Sequence, residues 1–280
     1  MEGRNGKPLT PVLVTGGTGT LGRLVAARLR DDGCHVRVLS RGRRSRDAEE
    51  GIEFVTGDLA TGAGIEAAVA GTEIIVHCAG GAKGDDVKAR NLVMAAAGAE
   101  VRHLVYISVV GDERVPVRGA LDRAAFGYFS SKLAAERVVA DSGVPWTTLH
   151  AAQFQESMLV LVQKMARLPM LVVAAGVRFQ PIAVGEVADR LVELALGSPA
   201  GVVPDMAGPR ADGMADLVRA SLRATNTHRL ILPIHMPGAA ARAVRAGAIL
   251  APDRAVGRRT WEDLLAERFE RREAHAAPTP

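Results

Sequence analysis

Short apolar runs in the first 150 residues alternate with longer stretches whose apolar side chains recur every three to four positions. The runs lie at Val12–Thr15, Val36–Ser40, Ile52–Thr56, Glu73–Cys78, Leu104–Ser108 and Thr147–His150, and their length and β-branched content predict strands. Helical spacing predicts helices over Gly19–Asp31, Gly64–Ala70, Asp85–Ala97 and Tyr128–Asp141. Strands that are apolar along their whole length are buried on both faces. The pattern therefore predicts an α/β fold built on a doubly wound parallel sheet with helices on both sides. After residue 155 the rhythm changes to helices at Glu156–Arg167, Gly185–Leu196, Asp212–Ala224, Ala239–Ala248 and Thr260–Glu270, with extended pieces at Leu171–Val173 and Arg229–Pro233.

The first strand runs into Thr15-Gly16-Gly17-Thr18-Gly19-Thr20-Leu21-Gly22, three glycines spaced three apart at the start of a helix. In a dinucleotide site the first such glycine makes the tight turn and the second lets backbone approach the pyrophosphate. The third lets the helix lie close on its strand, with its positive end toward the phosphates. Gly16, Thr18, Gly19, Thr20, Leu21 and Gly22 are thus candidate cofactor residues in a Rossmann-type domain. The predicted division is a nucleotide-binding domain over 1–155 and a smaller, mainly helical substrate region over 156–275 that returns elements to the sheet. A disordered tail is expected over 276–280.

The ends of the next strands refine the cofactor. Strand two closes Ser40-Arg41-Gly42-Arg43-Arg44, with guanidinium groups where NAD sites place an acid for the ribose hydroxyl. A planar fork of donors suits a 2′-phosphate, so Ser40, Arg41 and Arg43 predict NADP(H). Asp58 and Leu59 after strand three fit an adenine contact, an N-cap role for Asp58 being the equal rival. Cys78, Ala79, Gly80 and Gly81 after strand four are small enough for backbone to pass close to a cofactor, or form a plain turn.

Tyr128 and Lys132 stand four apart, on one helix face. A phenol is a poor acid at neutral pH, and an adjacent ammonium stabilises its anion. Such a pair can protonate a carbonyl oxygen while hydride reaches the carbon. The lysine can also hold ribose hydroxyls.

At this point the chain resembles the atypical short-chain dehydrogenase/reductases, in their NmrA-like NAD(P)-binding branch. The likeness runs through Thr15–Gly22, His103–Gly111, Tyr128–Arg137, Ser142–Thr147, Val184–Ala188, Ala207–Pro209 and Arg259–Trp261. It implies a Ser, Tyr, Lys set, with Ser108 as the serine beside Tyr128 and Lys132. Ser108 precedes Val109 and Val110 where many relatives carry further hydroxyls, and Gly185 stands where relatives usually have an acid. The resemblance also sets Gln153 and Phe154 near the nicotinamide, and Phe154 is carried as a cofactor contact. With Gln153, Met158 and Phe179 form the candidate substrate set, and Leu161, Met165 and Met170 extend the same apolar stretch. A plain core helix is the competing reading.

Composition adjusts this picture only a little. The net charge is +4, carried by 30 arginines against five lysines spread along the chain. That bias is the mark of a GC-rich genome rather than a nucleic-acid surface. Cys34 and Cys78 form no CxxC pair, lone His77, His150 and His235 read as structural, and no metal set emerges. The N-terminus lacks an apolar signal core, and Lys164, Arg167 and Pro169 interrupt the stretch 157–176, so a cytoplasmic protein with no membrane partner is expected.

Branch and composition together imply an NADPH-dependent reductase of a carbonyl on an aromatic small molecule, acting as a monomer or homodimer. An angucyclinone-type polyketide ketone in actinobacterial antibiotic biosynthesis is the specific expectation. Quinone or flavin reduction is the enzymatic alternative, and a non-catalytic NADP-sensing regulator the alternative outside enzymes.

Overall fold

The computed structural model describes residues 10–42, 51–81 and 83–276. Arg43 and Arg44 lie outside these residues, as does the tail from 277 on; Ala276 is the last helical residue.

The chain divides into two compact units. The first comprises 1–112, 127–150 and 185–204, and the second 113–126, 151–184 and 205–280. A single cut near residue 155 therefore does not describe the division. Residues 185–204 belong with the first unit and 113–126 with the second.

The first unit is built on a seven-stranded sheet. Its strands are β1 (Pro11–Thr15), β2 (His35–Ser40), β3 (Ile52–Thr56), β4 (Ile74–His77), β5 (His103–Val109), β6 (Trp146–Ala151) and β9 (Gly201–Val202), in the spatial order β3-β2-β1-β4-β5-β6-β9. β1 pairs in parallel with β2 and with β4, and β2–β3, β4–β5 and β6–β9 are also parallel. Every residue of β4 and β5 is buried, as their unbroken apolar runs require. The crossover helices are α1 (Thr20–Asp31), α2 (Ile65–Val69), α3 (Asp85–Ala97), α4 (Ala120–Ala140) and α6 (Val184–Leu196). α1 buries Leu21, Val25, Ala26 and Leu29 at helical spacing. Leu13, Ile75, Leu92, Leu104, Tyr106 and Val139 form part of one core.

In the second unit α5 (Gln155–Met165), α7 (Met214–Ala224) and α9 (Trp261–Ala276) contribute to a core of Leu159, Leu217, Trp261, Leu264 and Leu265. β7 (Met170–Ala174) pairs in parallel with β11 (Leu230–Ile234), β8 (Arg178–Phe179) pairs antiparallel with β10 (Asp212–Gly213), and α8 spans Ala239–Arg245.

Several expected boundaries move. α4 starts at Ala120 rather than Tyr128, because a glycine inside a helix costs only about 1 kcal/mol and Gly127 does not end it. Asp212 and Gly213 pair with β8 before α7 begins at Met214, so the helix expected from Asp212 starts two residues later. α8 stops at Arg245 and α9 continues to Ala276. β8, β9 and β10 are two residues each, too short for any periodicity to show. Among the described residues no helix is long and apolar enough to cross a membrane.

Leu104 is fully buried in β5, an interior strand of the sheet. Leu104→Ala should lower unfolding free energy by about 2–5 kcal/mol in a denaturant titration, the usual cost of a large-to-small core change.

Candidate functional site

The glycine loop leaves β1 at its carboxyl end. Gly16 has φ +69°, and a Cβ there would come within 2.8 Å of the Ala79 backbone, so both conformation and clearance require glycine. A Cβ on Gly22 would lie 2.3 Å from the Gly16 carbonyl, which fixes how closely α1 approaches the loop. Gly19 differs, for its Cβ would meet only the Gly16 oxygen at 3.2 Å. Gly19 is also the N-cap of α1, with no side-chain cap and no acid in the first turn. The first N–H groups of α1 are therefore left for an external anion.

Beside this helix end a cleft of about 470 Å³ opens along the carboxyl ends of β1 to β4. Gly16, Thr18, Gly19, Ser40, Arg41, Asp58, Leu59, Cys78, Ala79 and Gly80 line it, together with Lys88. The structure thus gathers most of the candidate cofactor residues around one space. Leu21 and Gly22 are buried beneath the loop and Thr20 begins α1. Ser40 donates to the Gly42 carbonyl at 3.0 Å. Asp58 accepts from the Ala60 N–H at 2.9 Å, closing a turn, while α2 takes Gly64 as its N-cap. Burial pushes the Cys78 thiol up to about 12, against the pull of Lys132. A wider depression of about 1130 Å³ in the second unit, lined by Arg167, Arg219, Arg223 and Arg229, contains none of the candidate cofactor residues.

Asp85, absent from the sequence expectations, organises the floor of the cleft. Its side chain is fully buried at the start of α3. Oδ1 accepts from the Gly81 N–H at 2.9 Å and from Lys88 Nζ at 2.8 Å, while Oδ2 lies 3.5 Å from Lys132 Nζ. The Asp85 N–H donates to Ser131 Oγ, which joins α3 to α4. Lys132 also donates to the Ile107 carbonyl at 3.1 Å and sits 5.0 Å from the centre of the Tyr106 ring. Burial lowers the affinity of Lys132 for its proton and Asp85 opposes the change. A Cβ on Gly80 would lie 3.0 Å from Lys132 Nζ, so this glycine lets the backbone of the cleft wall lie directly against the buried ammonium.

Tyr128 is 39% exposed. Desolvation by its surroundings, with the negative charges of Asp85 and Asp112, pushes its phenol up to about 12. An ammonium at i+4 was expected to lower it. Lys132 instead directs its charge at Asp85 and Ile107, so the phenol keeps its proton more firmly than in water.

Ser108, at the end of β5, donates to Asp112 Oδ2 at 2.8 Å. Asp112 shares a hydrogen bond with Glu136, and Glu136 Oε2 lies 2.9 Å from His150 Nε2. Ligand atoms of these last three residues all lie within 4.8 Å of one another. Burial pushes Asp112 up to about 6, with the His150 charge and the Ser108 bond opposing. Burial also acts upward on Glu136, but the hydrogen bond and charge of His150 outweigh it and hold the carboxyl below its ordinary range. Glu136 continues the i, i+4 face of Tyr128 and Lys132, and Asp112 follows Ser108 by four residues. Those spacings are the signals that could have located them. His77 is a buried strand residue, bonded to Thr15 Oγ1 at 2.6 Å and stacked on Tyr106; burial lowers it to about 3, so it stays neutral.

The other sequence-singled residues lie in the second unit. Phe154 is the N-cap of α5 and bridges to Ile182, and the buried Gln153 Oε1 has no hydrogen-bond partner among the described residues. Met158 and Phe179 pack against the Leu159–Trp261 core, and Met165 against Val162 and Leu171.

These features fit a bound nicotinamide dinucleotide: an uncapped helix start, a glycine at position 19 that carries no side chain into the cleft, and a cleft continuing to Arg41 on one side and Gly80 on the other. Known proteins agree. In sequence the chain is 34% identical over 149 residues to a (4-alkanoyl-5-oxo-2,5-dihydrofuran-3-yl)methyl phosphate reductase of Streptomyces griseus. That match takes in 53% of this chain and 49% of the relative, so the chain spans about half the length of the curated relative it matches. In fold it resembles the Escherichia coli NADPH-dependent quinone oxidoreductase solved with NADPH, at TM-score 0.76 and 18% identity over 92% of this chain and 99% of that one. It also resembles the triphenylmethane reductase of Citrobacter sp., at TM-score 0.74 and 18% identity over 93% and 99%. The model of the NAD(P)H-binding family matches residues 16–168, and the chain belongs to that family.

Proposed function

We propose that the protein is an NADPH-dependent reductase that transfers hydride to a carbonyl of a hydrophobic aromatic small molecule. The observation that carries the reading is the uncapped start of α1 opening onto a cleft that reaches Gly80, behind which the Lys132 ammonium is buried. The N–H groups of α1 would hold the pyrophosphate, Arg41 the 2′-phosphate, and Asp58 with Leu59 the adenine. Lys132 would hold the nicotinamide ribose, exchanging its bond to the Ile107 carbonyl for the sugar hydroxyls. The bound cofactor supplies the hydride.

The chain's own contribution is at the oxygen. Tyr128 keeps its proton across the physiological range, so it arrives at the carbonyl as a neutral donor and can release the proton as charge develops. Ser108 offers a second hydroxyl at the end of β5. Similarity to the Streptomyces griseus reductase favours a reductase over a non-catalytic nucleotide sensor. A polycyclic polyketide ketone is the substrate to test first, on the strength of the family resemblance and the arginine-rich composition; a quinone is the alternative acceptor.

Three outcomes check this reading. Calorimetry should show NADPH binding more tightly than NADH, with Arg41→Ala narrowing the gap, since a charge-assisted phosphate contact is worth about 1.5–3 kcal/mol. Equal affinities would remove the 2′-phosphate role. Gly19→Val should abolish NADPH binding while leaving a folded protein by circular dichroism, because within the protein its Cβ would crowd only the Gly16 carbonyl oxygen, at 3.2 Å, whereas a bound pyrophosphate leaves a side chain no place. Tyr128→Phe should lower kcat by about 10²–10⁴-fold with NADPH affinity nearly unchanged. Full activity in that variant would exclude Tyr128 as the acid.

A further inference from the structure

The second carboxylate layer, behind Ser108, has no part in the reaction as set out above. Ser108 comes from β5, Asp112 from the turn that follows it, Glu136 from α4 and His150 from β6. The side chains of Glu136 and His150 keep about a tenth of their surface, while that of Asp112 keeps 3%. The row therefore runs from a solvent-touching imidazole to a serine with no solvent contact of note.

Two carboxyls that share a hydrogen bond hold a proton between them. His150 holds Glu136 as the anion, so the shared proton sits on Asp112. A neutral Asp112 gives its proton to Glu136 and is a weaker acceptor for Ser108. An ionised Asp112 holds the Ser108 hydrogen in a charge-assisted bond, about twice as strong.

We propose that Asp112, set by the Glu136–His150 pair, is a positioning residue that decides whether the Ser108 hydroxyl is free to donate to the substrate oxygen. The inference rests on the reductase reading. No covalent or redox step is added to it: a hydrogen bond is exchanged, and the proton on Asp112 comes from and returns to solvent. The charged and titratable groups that act on the Asp112 carboxyl are Ser108, Glu136 and His150, and its charge is felt by the phenols of Tyr106 and Tyr128. The sign follows directly. Below about pH 6 Asp112 is neutral and Ser108 is released; above it Asp112 is anionic and Ser108 is captured.

The test has one readout without turnover and one with it. In the cofactor-free protein, labelled with ¹³C and ¹⁵N and assigned with Asp112→Asn and His150→Gln, the Asp112 carboxyl should titrate near pH 6. The His150 ring signals should shift at the same midpoint. An Asp112 midpoint below pH 4 overturns the proposal, whatever the variants do. With NADPH and an aromatic ketone, kcat of the unmutated protein should fall about tenfold as pH rises through 6. Asp112→Asn and Ser108→Ala should each flatten that profile, and the double variant should add nothing further. Tyr128→Phe should be slower but keep the break. A break that persists in Asp112→Asn or Ser108→Ala overturns the proposal, as does one-to-one zinc binding that Asp112→Asn abolishes. If no carbonyl compound is reduced by the unmutated protein, the reductase reading fails, and the titration then decides on its own whether Asp112 holds the proton it shares with Glu136.

Discussion

With β1 hydrogen-bonded to β2 on one side and to β4 on the other, the chain must leave the sheet in opposite directions from two adjacent strand ends, and a crevice opens where it does so. The rest of the candidate site depends on this adjacency. It brings Gly16 so close to Ala79 that no side chain fits between them, and it sets Ser40 and Cys78 on either side of the start of α1. The cofactor cleft is thus a by-product of strand order.

Charge is arranged in two layers behind that crevice. In the nearer one, two lysines share the Asp85 carboxylate, which offsets the cost of burying each alone. In the farther one, a carboxyl pair and an imidazole stand behind Ser108. The layers meet at α4, whose Lys132 belongs to the first and whose Glu136 to the second. One helix face thereby sets the electrostatics of both. Tyr128, a turn earlier, is raised first by desolvation, and Asp85 from one layer and Asp112 from the other push its phenol further the same way.

How much of this the sequence displays follows from the range of the interactions involved. Strands β1, β4 and β5 were legible because burial on both faces leaves an uninterrupted apolar run, the edge strand β3 and its neighbour β2 by their β-branched residues although Glu53 and Arg37 interrupt them, and the glycine loop because each missing side chain answers a local clearance. Gly127 misled the reading of α4, since helix propensity is a weak local term that tertiary packing overrides. Asp85, Asp112 and Glu136 were not legible. Local spacing hinted at two of them, Asp112 four residues after Ser108 and Glu136 four after Lys132, but what gives them their charge environment is a partner on another element, Lys132 for Asp85 and His150 for Glu136, and a single sequence does not display that pairing. The same holds for Met158 and Phe179: a run of apolar side chains does not reveal how much of it a neighbouring core takes up, and both are partly buried against the Leu159–Trp261 core.

Cys78 lines the crevice and yet holds its proton to about 12. Only the thiolate attacks electrophiles, and at neutral pH this sulfur supplies on the order of one part in 10⁵ of it. Conjugated carbonyl compounds and quinones alkylate exposed, acidic thiols. Here they would meet a half-buried sulfur held as the thiol, the form that does not attack them.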